Sequence, residues 1–193
     1  GARGSSGREG AWVTAARKET ERGGALLSRT MNPDVLAPFA LAAALSAAAG
    51  LRFYGVVFFV GLLGSLGAIE LPGELRLLTH PAVVAVSGLL FALEFTADKI
   101  PLVDSLWDAI NTFVRVPGGA LLAALALANY DSGMVAAAAL LGGVLAGGTH
   151  VAKMRTRATL NLSPEPFSNW LAPFAEDGLG LGLLVLAIAH PIA

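Results

Sequence analysis

Long apolar segments separated by short polar ones dominate this sequence. Segments free of Asp, Glu, Lys and Arg run over residues 35–51, 53–69, 77–93, 116–130, 132–149 and 178–193. Several of them match or approach the roughly 17 to 25 residues that a helix needs to cross a bilayer. We therefore predict an all-α, polytopic integral membrane helix bundle. A soluble bundle is the alternative, although six such segments leave few polar residues to coat a soluble surface.

The first apolar unit, residues 35–69, is interrupted by a polar break between Gly50 and Arg52. The unit is too long for one upright helix, and a charged residue beside a glycine is typical of a broken or re-entrant element. The alternative is a tight turn at the membrane surface that leaves Arg52 in water. The remaining predicted spans are residues 81–99, 117–129, 133–155 and 175–189.

A polar stripe marks residues 103–115 as an amphipathic helix between two of these spans. Asp104, Asp108, Asn111 and Arg115 follow one another at intervals of four, three and four residues, so they share one helix face. We expect this helix to lie at the membrane interface or to cover a polar cavity.

The first 30 residues differ from the rest of the chain because they are rich in Gly, Ser, Arg and Glu and lack an apolar core segment. We expect residues 1–30 to be a disordered extension, with a short interfacial helix near residues 12–27 as the alternative. Residues 31–193 then form a single membrane-embedded domain that begins at Met31.

Composition agrees with a lipid environment. The 193 residues are 55% hydrophobic and only 14% charged, where a soluble domain has about 25% charged residues, and the mean hydropathy is +0.67. A net charge of -1 gives no electrostatic case for nucleic acid binding. The absence of cysteine excludes disulfides, thiolate metal ligands and cysteine nucleophiles.

Basic residues in the polar segments predict the orientation, because cytoplasmic loops collect Lys and Arg. The segment from Lys99 to Arg115 contributes two and the segment from Lys153 to Arg157 contributes three. We therefore place both segments in the cytoplasm, in a multi-pass protein of the bacterial inner membrane. Counting back from Lys99 gives five net crossings with the first unit crossing once, and six crossings are the alternative.

With this orientation, charged side chains from three spans converge at one membrane face. Glu94 and Asp98 share one face of the 81–99 helix, and His150, Lys153 and Arg157 share one face of the 133–157 helix. Two further carboxylates open the final helix, where the helix dipole favours them. The predicted substrate- or ion-binding residues are Glu94, Asp98, Lys99, His150, Lys153, Glu176 and Asp177.

The depth of these charges favours a functional interpretation, since placing a charge at bilayer depth costs at least about 2.5 to 3.5 kcal/mol. Glu94 is the deepest, about one helical turn inside Asp98. The competing interpretation is a structural salt-bridge network that fixes helix packing. For Asp104 and Asp108, a solvated helix face is an equal alternative.

The remaining motifs indicate no cofactor and no metal ion. The Gly-rich stretches at residues 142–148 and 178–182 follow no predicted strand, so they fail the context of a phosphate loop. Gly143 and Gly147 instead suit close helix packing, and such faces are a candidate surface for homo-oligomers in the bilayer. The three histidines are scattered without a metal-ligand spacing.

Four short motifs together have the pattern of a known family. They are "AGLR" at residues 49–52, "EFTADKIPLVDSLWD" at 94–108, "HVAKMRTR" at 150–157 and "AED" at 175–177. On these motifs the chain resembles an uncharacterised bacterial family of integral membrane proteins, domain of unknown function 4126, over residues 36–190. The resemblance implies a compact multi-helix membrane protein and carries no activity.

A looser likeness, of chemistry and not of descent, is to cation-transporter families with an intramembrane Glu-x-Gly-Asp-Lys motif. Here "EFTADK" at residues 94–99 has one extra residue and Ala where Gly is expected, so its two carboxylates are four residues apart. The likeness implies a cation site at Glu94 and Asp98.

Three functions are consistent with the sequence. The first is a small transporter or channel for a cation, proton or small polar solute, with Glu94 and Asp98 as binding groups in a cytoplasm-facing polar cavity and Lys153 neutralising them when the cavity is empty. The second is a structural or assembly protein in which the same charges form a packing network. The third, an enzyme acting on lipid headgroups, lacks a recognisable nucleophile or metal set.

Overall fold

The computed structural model describes residues 17–22, 33–100, 103–161 and 166–189. Within these ranges all regular structure is helical, which confirms the all-α prediction. The chain divides into two compact units, Gly1–Ala37 and Pro38–Ala193. Residues 17–22 form a short exposed helix, and the rest of the predicted N-terminal extension lies outside the described residues.

The main elements are five α-helices and one 3-10 helix. In chain order they are α1 (Pro33–Ser65), the 3-10 helix (Gly73–Thr79), α2 (Pro81–Ala97), α3 (Val103–Ala126), α4 (Ser132–Asn161) and α5 (Pro166–Ala189). Of the described helices, α1, α3 and α4 are long and apolar enough to cross a membrane. The 3-10 helix and α2, bent by 72° at their junction, make a fourth span if they cross together. The five-crossing topology stays a prediction.

Local sequence signals begin two of the helices. Asp131 caps α4, because its Oδ1 accepts hydrogen bonds from two backbone N–H groups of the first turn at 3.0 and 3.1 Å. His80 caps α2, since its Nδ1 accepts from the Ala82 N–H at 3.2 Å, and Pro81 supplies a favoured first helical residue. Both helices therefore begin within one residue of the predicted positions.

The long helix α1 is kinked at Arg52, whose backbone angles (φ −146°, ψ 71°) are not helical. Gly50, two residues before the kink, lies directly against α4, where a Cβ atom would overlap the Ala146 carbonyl and the Thr149 hydroxyl. The Arg52 side chain is only 3% exposed, so the alternative that left it in water is wrong. Whether α1 crosses the membrane once or re-enters stays a prediction.

Helix α3 corrects the prediction of a separate interfacial helix over residues 103–115. That segment continues without interruption through Pro117 to Ala126 as a single helix. Proline is tolerated within membrane helices because neighbouring groups satisfy the backbone polar groups that it frees. The polar stripe needs no aqueous interface, because its side chains are buried against other helices.

The closest helix pair is α3 with α4, which pack antiparallel through small residues. A Cβ atom at Gly142 would lie 2.6 Å from the Ala123 Cβ and 2.8 Å from the Gly119 carbonyl oxygen, so no larger residue fits there. The predicted pair Gly143 and Gly147 makes looser contacts, at 3.5 Å from α3 side chains. Much of this Gly-rich face is therefore used within the chain.

An apolar core fills the part of the bundle that lies away from the charged residues. Its fully buried members come from α1, the 3-10 helix, the C-terminal half of α3 and the residue that follows α3, and include Leu45, Val60, Leu75, Leu122 and Leu127. This core fixes the helices on which the charged residues are carried.

Candidate functional site

Charged side chains from all five α-helices meet in one buried group, which we call the charged cluster. No member is more than 8% exposed. The cluster consists of Arg52 from α1, Glu94 and Asp98 from the end of α2, Asp104, Asp108 and Arg115 from α3, His150, Lys153 and Arg157 from α4, and Glu176 from α5.

Direct ion pairs join the first three helices. The Arg52 Nη1 of α1 contacts the Asp98 Oδ2 at the end of α2. The Arg115 Nη2 of α3 donates to the Glu94 Oε1 of α2, and both of these side chains are fully buried. A guanidinium and a carboxylate from different helices therefore meet at each of these two helix contacts, so the charges compensate one another away from water.

Further ion pairs extend the charged cluster to α4 and α5. The Lys153 Nζ lies 3.2 Å from the Asp108 Oδ1 and 3.5 Å from both the Asp98 Oδ2 and the Glu176 Oε2. Arg157 donates from Nε and Nη2 to the two Glu176 oxygens, at 2.9 and 3.2 Å. Lys153 therefore contacts carboxylates from three helices at once.

Arg157 also supports the end of α2. Its Nη1 donates to the backbone carbonyl of Asp98 at 3.1 Å and lies 3.8 Å from the Asp104 Oδ2. A carbonyl at a helix C-terminus has no partner within the helix, and a cation there also complements the helix dipole. Arg157 thus fixes the junction between α2 and α3.

The contacts of Arg115 determine the protonation state of His150. The Arg115 Nη1 lies 2.7 Å from the His150 Nδ1, and a guanidinium has only donors, so Nδ1 accepts. The ring proton is then on Nε2, which lies 2.7 Å from the Thr112 Oγ1. The Thr112 hydroxyl donates in turn to the Asp108 carbonyl at 3.1 Å. This network assigns His150 as the neutral Nε2–H tautomer.

Uncharged polar groups form one border of the charged cluster. The Tyr54 hydroxyl of α1 donates to the Asn111 Oδ1 at 2.9 Å, and the Asn111 Nδ2 donates to the Trp107 carbonyl at 2.8 Å. Ser46 of α1 and Thr149 of α4 each donate to a carbonyl of their own helix and also to a backbone carbonyl of a neighbouring helix, at 2.9 and 2.8 Å, respectively. Hydrogen bonds therefore continue the interhelical contacts beyond the ion pairs.

Five of the predicted site residues come together in the charged cluster. They are Glu94, Asp98, His150, Lys153 and Glu176. The cluster also contains the charged members of the predicted secondary stripe, Asp104, Asp108 and Arg115, and the helix-break residue Arg52. A stripe that was expected at an interface is therefore part of the main site.

The remaining two predicted site residues are Lys99 and Asp177. The Lys99 Nζ lies 3.6 Å from the centre of the Phe95 ring and 5.6 Å from that of Phe174, a cation–π arrangement to the side of the ion pairs. The Asp177 side chain lies outside the described residues. For Lys99, the turn after α2 directs the side chain onto aromatic rings, which the position in sequence could not indicate.

The position of Glu176 corrects another prediction. Helix α5 begins at Pro166, so Glu176 lies well inside the helix and not in its first turn. The partners of its carboxylate are Arg157 and Lys153, and the helix dipole has no role at this depth.

Two members of the site, Tyr54 and Thr112, were missed by sequence reasoning. Arg157 was predicted by its spacing to share a helix face with His150 and Lys153 but was not assigned to the site. Tyr54 and Thr112 carry no such signal, because only the packed helices bring them to their partners.

The charged cluster is closed in this structure. A small cavity beside Arg52, lined otherwise mainly by apolar side chains and glycines of α1, α2 and α5, has a volume of about 20 Å³, which suits roughly one water molecule. Within the described ranges, no three His, Cys, Asp or Glu side chains are arranged to hold a metal ion. The side chains of the cluster therefore face one another and not an open cavity.

Comparison with known families places the charged cluster in a defined domain. A family model described as "Domain of unknown function (DUF4126)" matches residues 39–193. The chain belongs to this family. The matched range contains every member of the charged cluster, so the cluster is part of the family domain. No curated protein and no solved structure matches the chain.

Proposed function

We propose that this membrane protein is a small transporter whose translocation centre is the charged cluster in a closed state. The observation that carries this proposal is the burial of ten ionisable side chains, contributed by five helices, with at most 8% exposure. Each charge at bilayer depth costs at least about 2.5 to 3.5 kcal/mol on the most lenient scale. Apolar residues of similar volume are often as stable or more stable than a buried ion pair, so stability alone gives little reason for such a centre.

The position of the charged cluster supports a role in passage across the bilayer. Arg115 lies halfway along α3, a candidate membrane span, and it pairs with Glu94 of α2 at that depth. Arg52, at the kink in α1, adds a further cation through its contact with Asp98. Charged groups beside an interrupted helix near the membrane midplane are typical of transporter binding sites.

The ion pairs supply a mechanism for closure. Because carboxylates and cations on different helices compensate one another, as in the contacts of Arg52 with Asp98 and of Lys153 with Asp108, the resting centre carries its charges without water. A cargo cation that binds Glu94 or Asp98 competes with Arg115, Arg52 and Lys153, and releasing these contacts separates the helices that carry them. The cargo class is a proton, a small cation or a small polar solute, entering from the predicted cytoplasmic side.

Flux into proteoliposomes tests this proposal. The wild-type protein is compared with Glu94→Gln and Asp98→Asn over a panel of monovalent cations, divalent cations and protons. Glu70→Gln is the matched control, because Glu70 is an exposed carboxylate outside the charged cluster. We expect flux of at least one cargo in the wild type and in the control, and its loss in both cluster variants. Equal flux in all four correctly folded proteins would reject the transport function.

A packing network is the second candidate, and the closed ion pairs favour it. These pairs connect α1 with α2, α2 with α3, α3 with α4, and α4 with α5. In that role the charges would fix which helices pair and no cargo would pass. The two candidates differ in their measurable consequences. A packing network predicts that variants of the charged cluster lose stability and that the wild type shows no flux.

A further inference from the structure

The charged cluster contains one more acidic group than basic ones among its described side chains. Four cations from Arg and Lys face five carboxyl groups, which are those of Glu94, Asp98, Asp104, Asp108 and Glu176. His150 adds no charge, because Arg115 donates to its Nδ1 and the ring is neutral. If every carboxyl group were ionised, a closed centre at bilayer depth would hold an unbalanced negative charge.

Four of the five carboxyl groups have clear reasons to be ionised. Asp98 contacts Arg52 and lies 3.5 Å from Lys153, and Glu176 accepts two hydrogen bonds from Arg157. The other two, Asp104 and Asp108, belong to α3.

Asp108 lies between two cations, at 2.8 Å from Arg115 and 3.2 Å from Lys153. Asp104 is in the first turn of α3, where the helix dipole favours a carboxylate, and it accepts the Ser105 N–H at 2.6 Å. Each of these carboxylates therefore has charge-assisted contacts of its own.

Glu94 has fewer partners than the other four carboxyl groups, because Asp98, Asp108 and Glu176 each lie near two or more cations and Asp104 accepts a backbone N–H at the start of a helix. Glu94 is completely buried, and its only ion pair among the described side chains is with Arg115, through Oε1. Arg115 is itself shared with Asp108 and His150. The Glu94 Oε2 is buried without a hydrogen-bond partner among the described protein atoms. An unpartnered carboxylate oxygen at this depth is costly, whereas a protonated one is not charged.

We infer that Glu94 is protonated in the closed protein and that the charged cluster binds one exchangeable proton there. One proton makes the described cluster electrically neutral. The neutral acid keeps its contact with Arg115, because the carbonyl oxygen Oε1 still accepts the Nη2 hydrogen bond. Only the further step, that this proton is the transported ion, rests on the proposed function.

The surroundings of Glu94 suit this protonation chemistry. Protonation changes Oε2 from an acceptor into an O–H donor. The Asp98 Oδ1, one helical turn along α2, is also a buried acceptor without a hydrogen-bond partner, and a bridging water molecule would satisfy both groups. Arg115 of α3 contacts Glu94 directly, and other ionisable groups lie near it, namely Arg52 and Tyr54 from α1, Asp98 from α2 and Lys153 from α4.

Infrared spectroscopy of the reconstituted full chain tests the inference directly. A protonated carboxylic acid has a C=O stretching band that an ionised carboxylate lacks. We expect this band at neutral pH in the wild type and in Glu70→Gln, and its loss in Glu94→Gln. Absence of the band in the wild type, or its persistence in Glu94→Gln, would overturn the inference.

Two further measurements keep the inference testable if a variant folds poorly. Carboxyl ¹³C labelling of glutamate in the wild-type chain must shift the band, and labelling of aspartate must leave it in place; the reverse result overturns the assignment. In thermal denaturation, Glu94→Gln must keep the wild-type midpoint because the amide imitates the neutral acid. Asp98→Asn must lower the midpoint, since Asp98 is ionised and paired. A fall in the Glu94→Gln midpoint as large as that of Asp98→Asn contradicts a neutral Glu94.

The proton on Glu94 and the transport function fail in different ways. A Glu94-dependent band without flux of any ion rejects transport and supports the bound proton. Flux of a cation without such a band supports transport and overturns the bound proton. If the band and proton flux are both present and both disappear in Glu94→Gln, the proton is the ion that the charged cluster moves.

Discussion

The two halves of α3 bury the same helix face with opposite chemistry. In the N-terminal half the buried positions are Asp104, Asp108, Asn111 and Arg115. In the C-terminal half they are Gly118, Gly119, Leu122, Ala123 and Ala126. Burial alone therefore does not decide which residues a membrane helix carries on its inner face. What differs is the way in which each half obtains its interaction energy.

The C-terminal half depends on close approach, and the N-terminal half depends on charge compensation. Gly119 and Ala123 contact Gly142 of α4, where dispersion forces over short distances hold the helices together. Arg115 and Asp108 instead require their partners on α2 and α4, because an unpaired buried charge is far more costly than a small void. The charged half is thus the half in which a change of partner can move helices.

The largest expected effect comes from removing the central cation of the charged half. Arg115→Met leaves Asp108 with one cation fewer, and breaking a buried pair in this way costs about 3 to 5 kcal/mol. We expect a marked fall in the thermal denaturation midpoint of the detergent-solubilised protein. The double variant Asp108→Asn with Arg115→Met removes one charge of each sign and should recover part of the loss. A midpoint for Arg115→Met equal to that of the wild type would show that Arg115 compensates no buried charge.

A matched pair of arginines on α4 compares a buried cation with an exposed one. Arg157→Gln removes the hydrogen bonds to Glu176 and to the Asp98 carbonyl, and bonds to charged groups are worth about 1.5 to 3 kcal/mol. Arg155 is exposed two residues earlier, so Arg155→Gln should change stability by no more than about 0.5 kcal/mol. Chemical denaturation of both variants measures the difference. Equal losses of stability in the two variants would show that the buried contacts of Arg157 contribute no more than the exposed Arg155 does.

The apolar half is tested by adding volume where α3 and α4 approach most closely. Gly142→Leu forces the helices apart at Gly119 and Ala123, and overpacking typically costs about 1 to 3 kcal/mol. Gly148→Leu is the control, because a Cβ atom at Gly148 meets no other atom within 4 Å. The thermal midpoint should fall for the first variant only. A similar fall for both would show that the loss does not depend on the close contact at Gly142.

The smallest expected effect concerns the polar border between α1 and α3. Tyr54→Phe removes the hydrogen bond to the Asn111 Oδ1 and leaves the ring in place, so we expect a loss of about 0.5 to 1.5 kcal/mol. Because Tyr54 carries no compensating charge, flux in proteoliposomes should remain near the wild-type rate. Complete loss of flux in this variant would show that the Tyr54 hydroxyl is needed for transport, which the contrast between the two halves of α3 does not predict.

Hydropathy predicts most of the helices, because long apolar segments and capping residues are local signals. Pro81 and Asp131 fix the starts of α2 and α4 within one residue. The continuity of α3 through Pro117 could not be predicted, since it depends on neighbouring helices that tolerate the freed backbone group. The 3-10 helix from Gly73 to Thr79 was missed because a short polar connection carries no periodic pattern.

Periodicity also predicts part of the charged cluster. The faces shared by Glu94 with Asp98 and by His150 with Lys153 can be read from helical spacing. The inclusion of Arg52, Arg115 and Asp104 could not be read in this way, since it depends on how the five helices are arranged in space. A stripe of polar residues looks the same whether it faces water or a neighbouring helix.

Cysteine labelling tests the central claim most directly, and the chain contains no native cysteine to interfere. Ala97→Cys introduces a thiol between Glu94 and Asp98, and Ala126→Cys introduces one in the apolar half; both alanines are buried, at 8% and 2% exposure. Each variant is exposed to a membrane-impermeant maleimide in sealed vesicles. If the charged cluster opens to water during transport, the Ala97→Cys protein is labelled and the Ala126→Cys protein is not. Equal protection of both thiols would contradict the account and leave the charged cluster as a packing network.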